Sequence, residues 1–572
     1  MGKYEGMFIK LGPPGTGKTT WLARQVRAVV DDLGMDCGSD GAVRSPVMVC
    51  SLTRTAAAEA AGRDMPIPRD AVGTLHSFAF RAVGRPNIAE ALLEDWNKRH
   101  RDFQQTAGRV DVDEPAWDFK MDMDAFRGDE AAMAYNLLRT RMVPREAWPA
   151  TVRDYAAKWE EFKAETDSLD FTDLIEDAYK FIDTAPGGPQ VIIADETQDH
   201  SALEFGLLKK WGRTAGCLMV TGDPWQALYV WRGAHPEIFV DPDVPESHRS
   251  ILKQSYRVPR AVHAYAMRWI RNLTTYRPIE YLPRDADGAV EFCGADWTEP
   301  AEALRLAEAD LARGKKVMIA ASCAYLLSPM ITLLRRAGLP FSNPWRTRRG
   351  DWNPLHRGRG VSMADRVSAF LAEDPASDAR RWTMGDVRAW ASVLTAKGLL
   401  IRGGKTRLAS AAPDAPATDA ALSVIFASGI VDTLRGMFAD RAFGEDVPLS
   451  AVLEWWLSRV LASMRPRAEY PVRVAAMRGA TALREATGWG VRPAGIGQLF
   501  VGTIHSYKGG EADTVILFPD LSPAGMREWD AGDRALRDGP IRLFYVGITR
   551  ARERLIICRA RSARSVPLDD GI

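Results

Sequence analysis

The feature that most constrains this chain is a GxxxxGKT motif at residues 12–19, directly after the apolar run of residues 7–11. The run predicts a buried strand and the residues after the motif predict a helix, so the glycines occupy a strand-to-helix turn. At such a turn, backbone N–H groups and the positive end of the helix dipole converge on nucleotide phosphates. Lys18 is expected to pair with the terminal phosphates and the Thr19 hydroxyl to ligate Mg²⁺, the alternative being an ordinary glycine turn with an incidental lysine. The residues predicted to bind the nucleotide here are Gly12, Pro13, Pro14, Gly15, Thr16, Gly17, Lys18, Thr19 and Thr20.

Composition indicates a large globular protein and argues against several other classes. The 572 residues suffice for roughly three or four domains, and 46% hydrophobic with 26% charged residues favours a folded chain. The six cysteines include no CxxC pair, which argues against a disulfide framework and against a zinc or iron–sulfur site. Neither a secretory signal nor an apolar run of membrane-spanning length is present in the sequence. We therefore expect a cytoplasmic protein with no membrane partner, and the net charge of +1 neither favours nor opposes nucleic-acid binding.

A pair of acids follows a second apolar run. Residues 191–194 predict a short buried strand that ends at Asp195 and Glu196. Asp195 is the candidate Mg²⁺ ligand, and Glu196 the candidate base that orients and deprotonates the attacking water. Acids in this position can instead stabilise a helix N-terminus through its dipole. The next predicted strand, residues 217–221, leads to Gln226, which is placed to sense the terminal phosphate or the water.

Polar and aromatic residues follow other predicted strands. Thr74, His76 and Ser77 lie in the block of residues 72–78, at the end of another predicted strand, where an open α/β sheet places ligand contacts. Tyr229 and Trp231 are two residues apart, so in an extended segment they share one face and can stack on bases. Taken as isolated residues, both aromatics are more often core residues.

The order of these blocks, together with four further segments, is similar to that of the superfamily 1 DNA helicases of the UvrD/Rep/PcrA-like branch. The motifs run from residue 12 to residue 554 and thus span nearly the whole chain. The further segments are LDFTDL at 169–174, LKQSYR at 252–257, VGTIHSYKGGE at 501–511 and RLFYVGITRA at 542–551.

The resemblance implies an α/β fold with two RecA-like parallel-sheet motor domains, each carrying a mainly helical insertion. The two motor domains are expected to share a fold, although we identify no internal repeat in the sequence. The implied domains are residues 1–85 and 165–255 for the first motor domain, 86–164 for its insertion, 256–345 and 496–572 for the second motor domain, and 346–495 for the second insertion.

The resemblance also implies roles for individual residues. Tyr256 is expected to stack on adenine and Glu511 to contact the ribose. Arg257 and Arg550 are expected to reach the γ-phosphate from across a cleft, for which the permanently charged guanidinium is suited. Arg232 is expected to link the γ-phosphate site to the DNA track, and for each arginine a surface ion pair is the alternative. The residues expected to line the track are Thr53, Thr74, His76, Ser77, Tyr229, Trp231, Thr503 and His505.

The activity implied is that of an ATP- and Mg²⁺-dependent DNA helicase that moves on single-stranded DNA in the 3′ to 5′ direction. Its expected partners are single-stranded DNA and single/double-strand junctions, with a protein partner as a further one, and it is expected to be a monomer or weak oligomer. Two alternatives stay open: a single-strand translocase that displaces proteins or needs a partner to unwind, and a nucleotide-timed DNA-binding module.

The sequence departs from the family pattern at several places. The glutamine-bearing segment that relatives carry ahead of the phosphate loop is absent from the eleven residues before Gly12, which leaves adenine selectivity open. Leu75 stands where relatives commonly have an aromatic residue, and Arg54 and Thr55 stand in place of Asn and Lys. Outside the motifs, residues 403–418 predict a loop, and the arginine-rich residues 346–359 predict either a phosphate-contacting segment or a solvated loop.

Overall fold

The structure, a computed structural model, divides into two units. Unit 1 comprises Met1–Gly288 and Arg527–Thr549, and unit 2 comprises Ala289–Met526 and Arg550–Ile572. The residues that the structure describes are 4–37, 43–51, 65–106, 127–337, 339, 341–343, 384–385, 388, 400–416, 419–426, 498–561 and 563–568. Thr53, the side chain of Trp231 and residues 346–359 lie outside this described part.

The described strands are short and mostly parallel. They are β1 Gly6–Leu11, β2 Asp36–Cys37, β3 Val43–Arg44, β4 Val47–Ser51, β5 Val72–Thr74, β6 Asn87–Ile88, β7 Ser168–Leu169, β8 Val191–Ala194, β9 Cys217–Gly222, β10 Arg249–Ile251, β11 Gln254–Pro259, β12 Leu282–Arg284, β13 Ala289–Cys293, β14 Val317–Ala321, β15 Leu499–Thr503, β16 Ala512–Leu517 and β17 Ala551–Cys558.

The described helices alternate with these strands. They are α1 Lys18–Leu33, α2 Leu75–Ala82, α3 Leu93–Arg99, α4 Arg127–Thr140, α5 Ala150–Glu165, α6 Phe171–Phe181, α7 Ala202–Ala215, α8 Arg260–Ile270, α9 Ala301–Ala312, α10 Ser328–Ala337, α11 Gly404–Ser410, α12 Asp419–Ser423, α13 Pro523–Asp530 and α14 Arg534–Ile548.

Unit 1 is built on a six-stranded parallel sheet with the strand order β10-β1-β9-β8-β4-β5. Parallel strands need crossover connections, which place helices on both faces and bury the strands between them. Every residue of β4, β8 and β9 is accordingly buried, which explains why these strands are continuous apolar runs rather than alternating ones. Because all strands run the same way, the residues that follow β1, β8 and β9 emerge at one edge of the sheet.

A helical segment of unit 1, containing α3, α4 and α5, is inserted between β5 and β8 and has its own core. Trp96 lies at its centre and makes edge-to-face ring contacts with Tyr155, Trp159 and Phe162. Ring pairs in this geometry add stabilisation beyond the burial of their area. The sequence from residue 86 to residue 164 predicts such a helical insertion, and its exact limits stay predictions.

Side-chain caps fix the starts of the two helices that flank the acid pair. Asp170 and Asp173 form a capping box at the start of α6, and Ser201 and Glu204 form another at the start of α7. Each box satisfies backbone N–H groups that have no partner inside the helix. Helix α7 therefore begins at a fixed residue directly after the acid-pair segment.

Unit 2 is built on a five-stranded parallel sheet with the order β13-β17-β16-β14-β15. Helices α9 and α10 contribute to its core together with β14, β15 and β16. The two parallel sheets confirm the predicted α/β fold class.

One prediction in unit 2 is wrong in part. Residues 404–410 of the predicted loop form helix α11, which starts after Gly403 in the left-handed conformation and buries Leu408. The run from Lys405 to Ser410 contains no proline, so a helix can form there. The buried leucine stabilises it by packing, which the Ser/Thr-rich composition does not predict.

Candidate nucleotide and nucleic-acid site

The phosphate loop connects β1 to α1 in the predicted manner. Gly15 and Gly17 have φ values of 72° and 82°, which only glycine adopts without strain. Helix α1 starts at Lys18 and has no acidic residue in its first turn, so its N-terminus is open to an anion. Lys18 Nζ donates to the carbonyl of Gly12 at 2.9 Å and lies 3.8 Å from Oε1 of Glu196. The glycine cradle, the free helix N-terminus and the lysine together fit a phosphate group.

A second segment of unit 1 fastens this loop. Ser255 Oγ and Tyr281 Oη each donate to the carbonyl of Pro14 at 2.9 Å, and Tyr256 N donates to the carbonyl of Gly15 at 2.8 Å. A Cβ on Gly15 would lie 2.4 Å from Cβ of Arg257, so Arg257 also sits directly against the loop.

These contacts bring Tyr256 and Arg257, two predicted site residues, to the phosphate loop within unit 1. The ring of Tyr256 is 67% exposed, which leaves a face available for stacking. Sequence reasoning missed the loop-fastening roles of Ser255 and Tyr281. Ser255 could have been found because it lies in the family segment 252–257, whereas the sequence around Tyr281 has no pattern that predicts its contact with the loop.

The acid pair lies at the carboxyl end of β8. Asp195 is buried, its N donates to the carbonyl of Cys50 at 2.8 Å, and its Oδ1 accepts from Glu196 N at 2.9 Å. Glu196 has φ 50° and ψ 38°, a left-handed conformation that is strained for a residue with a side chain. Its side chain makes no cap hydrogen bond to the single turn Thr197–Asp199 that follows. The carboxylate of Glu196 is thus directed toward Lys18 instead of toward a helix N-terminus.

A chain of side-chain hydrogen bonds, here called the amide relay, connects Glu196 to Gln226. Gln198 Nε2 donates to Oε2 of Glu196, and Oε1 of the same amide accepts from Asp223 N at 3.0 Å. Gln226 Nε2 donates to Oδ2 of Asp223 at 2.7 Å. A Cβ on Gly222 would lie 2.1 Å from Oε1 of Gln198, so the relay requires glycine there. Gln198 and Asp223 were not among the predicted site residues, although each forms a hydrogen bond with a predicted one.

Burial controls the charge of the relay's central acid. Asp223 is fully buried, and this desolvation raises its pKa to about 6, although Lys18 and the hydrogen bonds from Gln226 and Trp225 oppose the rise. A buried carboxylate that titrates near neutrality next to a phosphate-binding lysine is typical of functional sites.

The predicted DNA-track residues of unit 1 fall into two groups. Thr74 and Tyr229 are buried, with 2% and 7% exposure, and Thr74 Oγ1 caps α2 by accepting from Ser77 N at 3.1 Å. Burial of Tyr229 agrees with the core alternative. His76 is partly exposed, and its Nδ1 lies 3.7 Å from Oε1 of Glu204.

Glu204 interacts electrostatically with His76, His200 and Arg232. Burial alone would raise its pKa, but His76, His200 and Arg232 lower it to about 2, so Glu204 is ionised at neutral pH. Arg232, the predicted coupling residue, therefore lies in the electrostatic neighbourhood of the predicted track residue His76. Burial also lowers the pKa of His200, against the charge of Glu204.

The predicted site residues of unit 2 are described within that unit. Thr503 ends β15, His505 begins a single turn, and Arg550 is buried with Nη1 donating to the carbonyl of Gly510 at 3.3 Å. Glu511 forms an ion pair with Arg552.

Units 1 and 2 repeat one local structure that the sequence analysis overlooked. The hexapeptides GTLHSF at 73–78 and GTIHSY at 502–507 each follow a parallel strand. In both, the serine hydroxyl donates to the threonine carbonyl, at 2.8 Å for Ser77 and 2.7 Å for Ser506. In both, the serine N–H also donates to the threonine hydroxyl. The expectation of no internal repeat is therefore wrong at this short scale.

A parallel sheet with a phosphate loop after β1 and an acid pair after β8 defines a P-loop nucleotide-binding protein. The sequence pattern of the UvrD/REP helicase N-terminal domain matches residues 3–243, and that of the UvrD-like helicase C-terminal domain matches residues 498–558. The chain belongs to the UvrD/REP helicase family, which confirms the resemblance predicted from the motifs. The two parallel sheets are accordingly the RecA-like sheets of that family.

The identities to individual relatives are low, and each match covers less than half of this chain. The chain is 25% identical over 281 residues to the ATP-dependent DNA helicase PcrA of Leuconostoc citreum, covering 44% of this chain and 35% of that one. It is 30% identical over 146 residues to the PcrA of Bacillus subtilis, covering 24% and 20%. It is 25% identical over 294 residues to a probable DNA helicase of Mycoplasma pneumoniae, covering 46% and 52%. The matches thus span about a third of the first relative and about half of the last.

No described helix is both long and apolar enough to cross a membrane. Among the described residues no three His, Cys, Asp or Glu side chains form a metal-binding group. Mg²⁺ in nucleotide sites usually takes only one or two carboxylates and completes its shell with phosphate oxygens and water, so Asp195 and Thr19 fit such a site.

Proposed function

We propose that this protein is an ATP-dependent DNA helicase that moves on single-stranded DNA, with 3′ to 5′ polarity, and couples ATP hydrolysis to duplex unwinding. The observation that carries the proposal is the amide relay, which connects the candidate base Glu196 to Gln226 at the start of the segment that holds Tyr229, Trp231 and Arg232. Through this connection, a change at the phosphate site can shift residues of the DNA track.

In this proposal the phosphate loop and α1 bind the phosphates of ATP. Lys18 exchanges its hydrogen bond to the carbonyl of Gly12 for phosphate oxygens. The Thr19 hydroxyl and Asp195 hold Mg²⁺, which neutralises charge on the phosphate oxygens when bound. Tyr256 stacks on the adenine and Glu511 contacts the ribose.

Glu196 acts as the base for the attacking water. Because Gln198 holds Oε2, the proton is accepted at Oε1, the oxygen that faces Lys18. Gln226 orients the water or reports the terminal phosphate, while Arg257 and Arg550 stabilise negative charge that develops on the transferred group.

Alternating grips on the DNA then convert hydrolysis into movement. In the proposed track, Thr53, His76, Ser77 and Trp231 of the first motor domain and His505 of the second contact the DNA. The buried Thr74, Tyr229 and Thr503 hold the turns that carry these residues. The repeated Thr-x-His-Ser turn supports this proposal, because the same arrangement of hydroxyls and imidazole is offered by each unit. We also propose the four-part domain division that the family resemblance implies, with the protein acting in the cytoplasm as a monomer or weak oligomer on single strands and junctions.

The test is ATP hydrolysis with Mg²⁺ in the presence and absence of single-stranded DNA. The wild type is expected to be stimulated by DNA, and Lys18→Ala and Glu196→Gln are expected to abolish turnover while preserving the fold. Retained turnover in both variants would contradict the catalytic assignment. Strong stimulation without strand separation would instead support the single-strand translocase, and hydrolysis without directional movement would support the nucleotide-timed binding module.

A further inference from the structure

The C-terminal end of α4, in the helical segment of unit 1, contacts two functionally different parts of that unit. Arg139 is buried and binds the N-cap of α6 and two acids within that helix, with Nη1 2.9 Å from Oδ2 of Asp170, Nε 2.9 Å from Oε1 of Glu176 and Nη2 bonded to Asp173. Lys163 of α5 adds a second cation to Asp170 and Asp173. This charged cluster anchors the end of α4.

The next two residues contact the segment that follows Gln226. Residues 230–233 form a single turn, here called the 230–233 turn. Thr140 Oγ1 lies 3.4 Å from the carbonyl of Arg232 and Arg141 Nη2 donates to the carbonyl of Val230 at 3.2 Å. Gly233 has φ 102°, and a Cβ there would lie 2.5 Å from Oγ1 of Thr140. The turn and the helix end are therefore packed with no room for a side chain between them.

The end of α4 is held in one conformation. Met142 N donates to the carbonyl of Arg139 at 2.8 Å and Val143 N to that of Leu138 at 2.9 Å, with φ of Met142 at 57°. This is the paired hydrogen-bond pattern that terminates a helix with a left-handed residue. Movement of the 230–233 turn is consequently resisted by the whole of α4 and not absorbed by a loose loop.

The 230–233 turn is in turn tied to the nucleotide site. Gln226 belongs to the amide relay, and two residues later Leu228 N donates to Oδ1 of Asp199 at 3.0 Å. Asp199 also accepts from Gln198 at 3.2 Å, so the segment leading to the turn is fixed on the same amide that holds Glu196.

We propose that Thr140 and Arg141 are positioning residues that transmit the nucleotide state of the amide relay, through the 230–233 turn, to the helical segment of α3, α4 and α5. The inference rests on the proposed nucleotide-driven function and adds a mechanical connection to it. A continuous set of contacts runs from Glu196 through Gln198, Asp223 and Gln226 to the turn, and from the turn through Thr140 and Arg141 to the anchored end of α4. Coupling through these contacts is demonstrated only if it is lost when one of the contacts is removed.

The test is hydrogen–deuterium exchange of the full chain with and without the nonhydrolysable ATP analogue AMP-PNP and Mg²⁺, in the absence of DNA. In the wild type the analogue is expected to slow exchange about fivefold both in residues 12–19 and in the last two turns of α4. In the double variant Thr140→Val/Arg141→Met, slowing at residues 12–19 is retained and slowing in α4 is lost. Thr140→Ser with Arg141 intact keeps the hydroxyl donor and is expected to restore the α4 response.

Arg145→Met is the matched control, because Arg145 binds Glu160 on the same helical segment and makes no hydrogen bond or ion pair with the described part of the 230–233 turn. It is expected to behave like the wild type, and the ATP KM of every variant is expected to stay within about twofold of the wild-type value. An α4 response that is absent in the wild type, or unchanged in the double variant, would overturn the inference. Because no DNA is used, failure of the proposed helicase activity shows separately, as an absence of DNA-stimulated hydrolysis in the wild type.

Discussion

Gln226 donates from Nε2 to Oδ2 of Asp223 at 2.7 Å, which ties the residue expected to sense the terminal phosphate to an acid buried beside the phosphate loop. Because Asp223 N also donates to Gln198, and Gln198 donates to Glu196, the sensor and the candidate base share one rigid hydrogen-bonded unit. Buried polar networks of this kind rigidify a site when all members are satisfied. The geometry of the candidate base is therefore set by residues that follow two strands, β8 and β9.

Gly222→Ala is expected to break the amide relay. Its added Cβ would lie 2.1 Å from Oε1 of Gln198, so the amide must move and release Glu196. We expect kcat for ATP hydrolysis to fall by about 10² or more, since displacement of positioned catalytic groups has effects of that size. Gly532→Ala is the control, because a Cβ there meets nothing within 4 Å. Wild-type kcat in Gly222→Ala would show that the relay does not position the base.

Tyr281→Phe is expected to loosen the phosphate loop. It removes one hydroxyl, whose 2.9 Å hydrogen bond to the carbonyl of Pro14 spans 267 positions of the chain. The ATP KM should rise by about fivefold, the equivalent of one net hydrogen bond, while the unfolding midpoint changes little. Tyr4→Phe removes a comparable hydroxyl contact, that with Asp32, away from the loop and should leave the KM unchanged. Equal KM values for the two variants would contradict a role of Tyr281 in the site.

Arg139→Met is expected to destabilise unit 1 strongly. It leaves the buried Asp170 and the half-buried Asp173 with only Lys163 as a counter-ion, and removal of one partner from a buried ion cluster costs about 3–5 kcal/mol. Chemical denaturation followed by circular dichroism measures this loss. Breaking the exposed pair of Arg145 and Glu160 by Arg145→Met should cost at most about 1 kcal/mol. Similar costs for the two variants would mean that the cluster is not an anchor.

Glu90 makes the stability of unit 1 depend on pH. Burial and the neighbouring carboxylate of Asp170 raise the pKa of Glu90 to about 8, against the hydrogen bond from Phe171 N and the charge of Lys163. Since the folded state favours the protonated form, this contribution to stability is fully present below the ordinary glutamate pKa. It is lost as the pH rises toward 8.

Glu90→Gln should remove that dependence. Between pH 5 and pH 8 we expect the wild type to lose on the order of 3 kcal/mol relative to the variant, as measured by urea unfolding at each pH. Parallel stability curves for the two proteins across this range would show that Glu90 does not titrate in the folded state.

The parts of the site that the sequence predicts are those whose chemistry is local. The phosphate loop and the acid pair each combine a strand with the few residues after it, so an apolar run followed by glycines or carboxylates is sufficient to predict them. Tyr281 and Ser255 contact Pro14 across more than two hundred positions, and no periodic pattern records such a contact.

Other differences have equally specific causes. The hydroxyl of Thr74, predicted to face DNA, caps α2, because threonine before a helix satisfies backbone N–H groups as readily as it binds a ligand. The hexapeptide repeat at residues 73–78 and 502–507 is visible in the sequence, but two six-residue segments more than four hundred positions apart can be alike by chance. The repeat becomes meaningful because both segments stand at the ends of parallel strands and form the same hydrogen bonds.

The most direct test of the account is strand separation of short duplexes bearing either a 3′ or a 5′ single-stranded tail, measured with ATP and Mg²⁺ for the wild type and for Glu196→Gln. The account predicts that the wild type separates the duplex with the 3′ tail and that Glu196→Gln, although folded and able to bind ATP, separates neither. Unwinding confined to the duplex with the 5′ tail would contradict the proposed polarity, and unwinding by Glu196→Gln at the wild-type rate would contradict the central claim that hydrolysis at this site drives the movement.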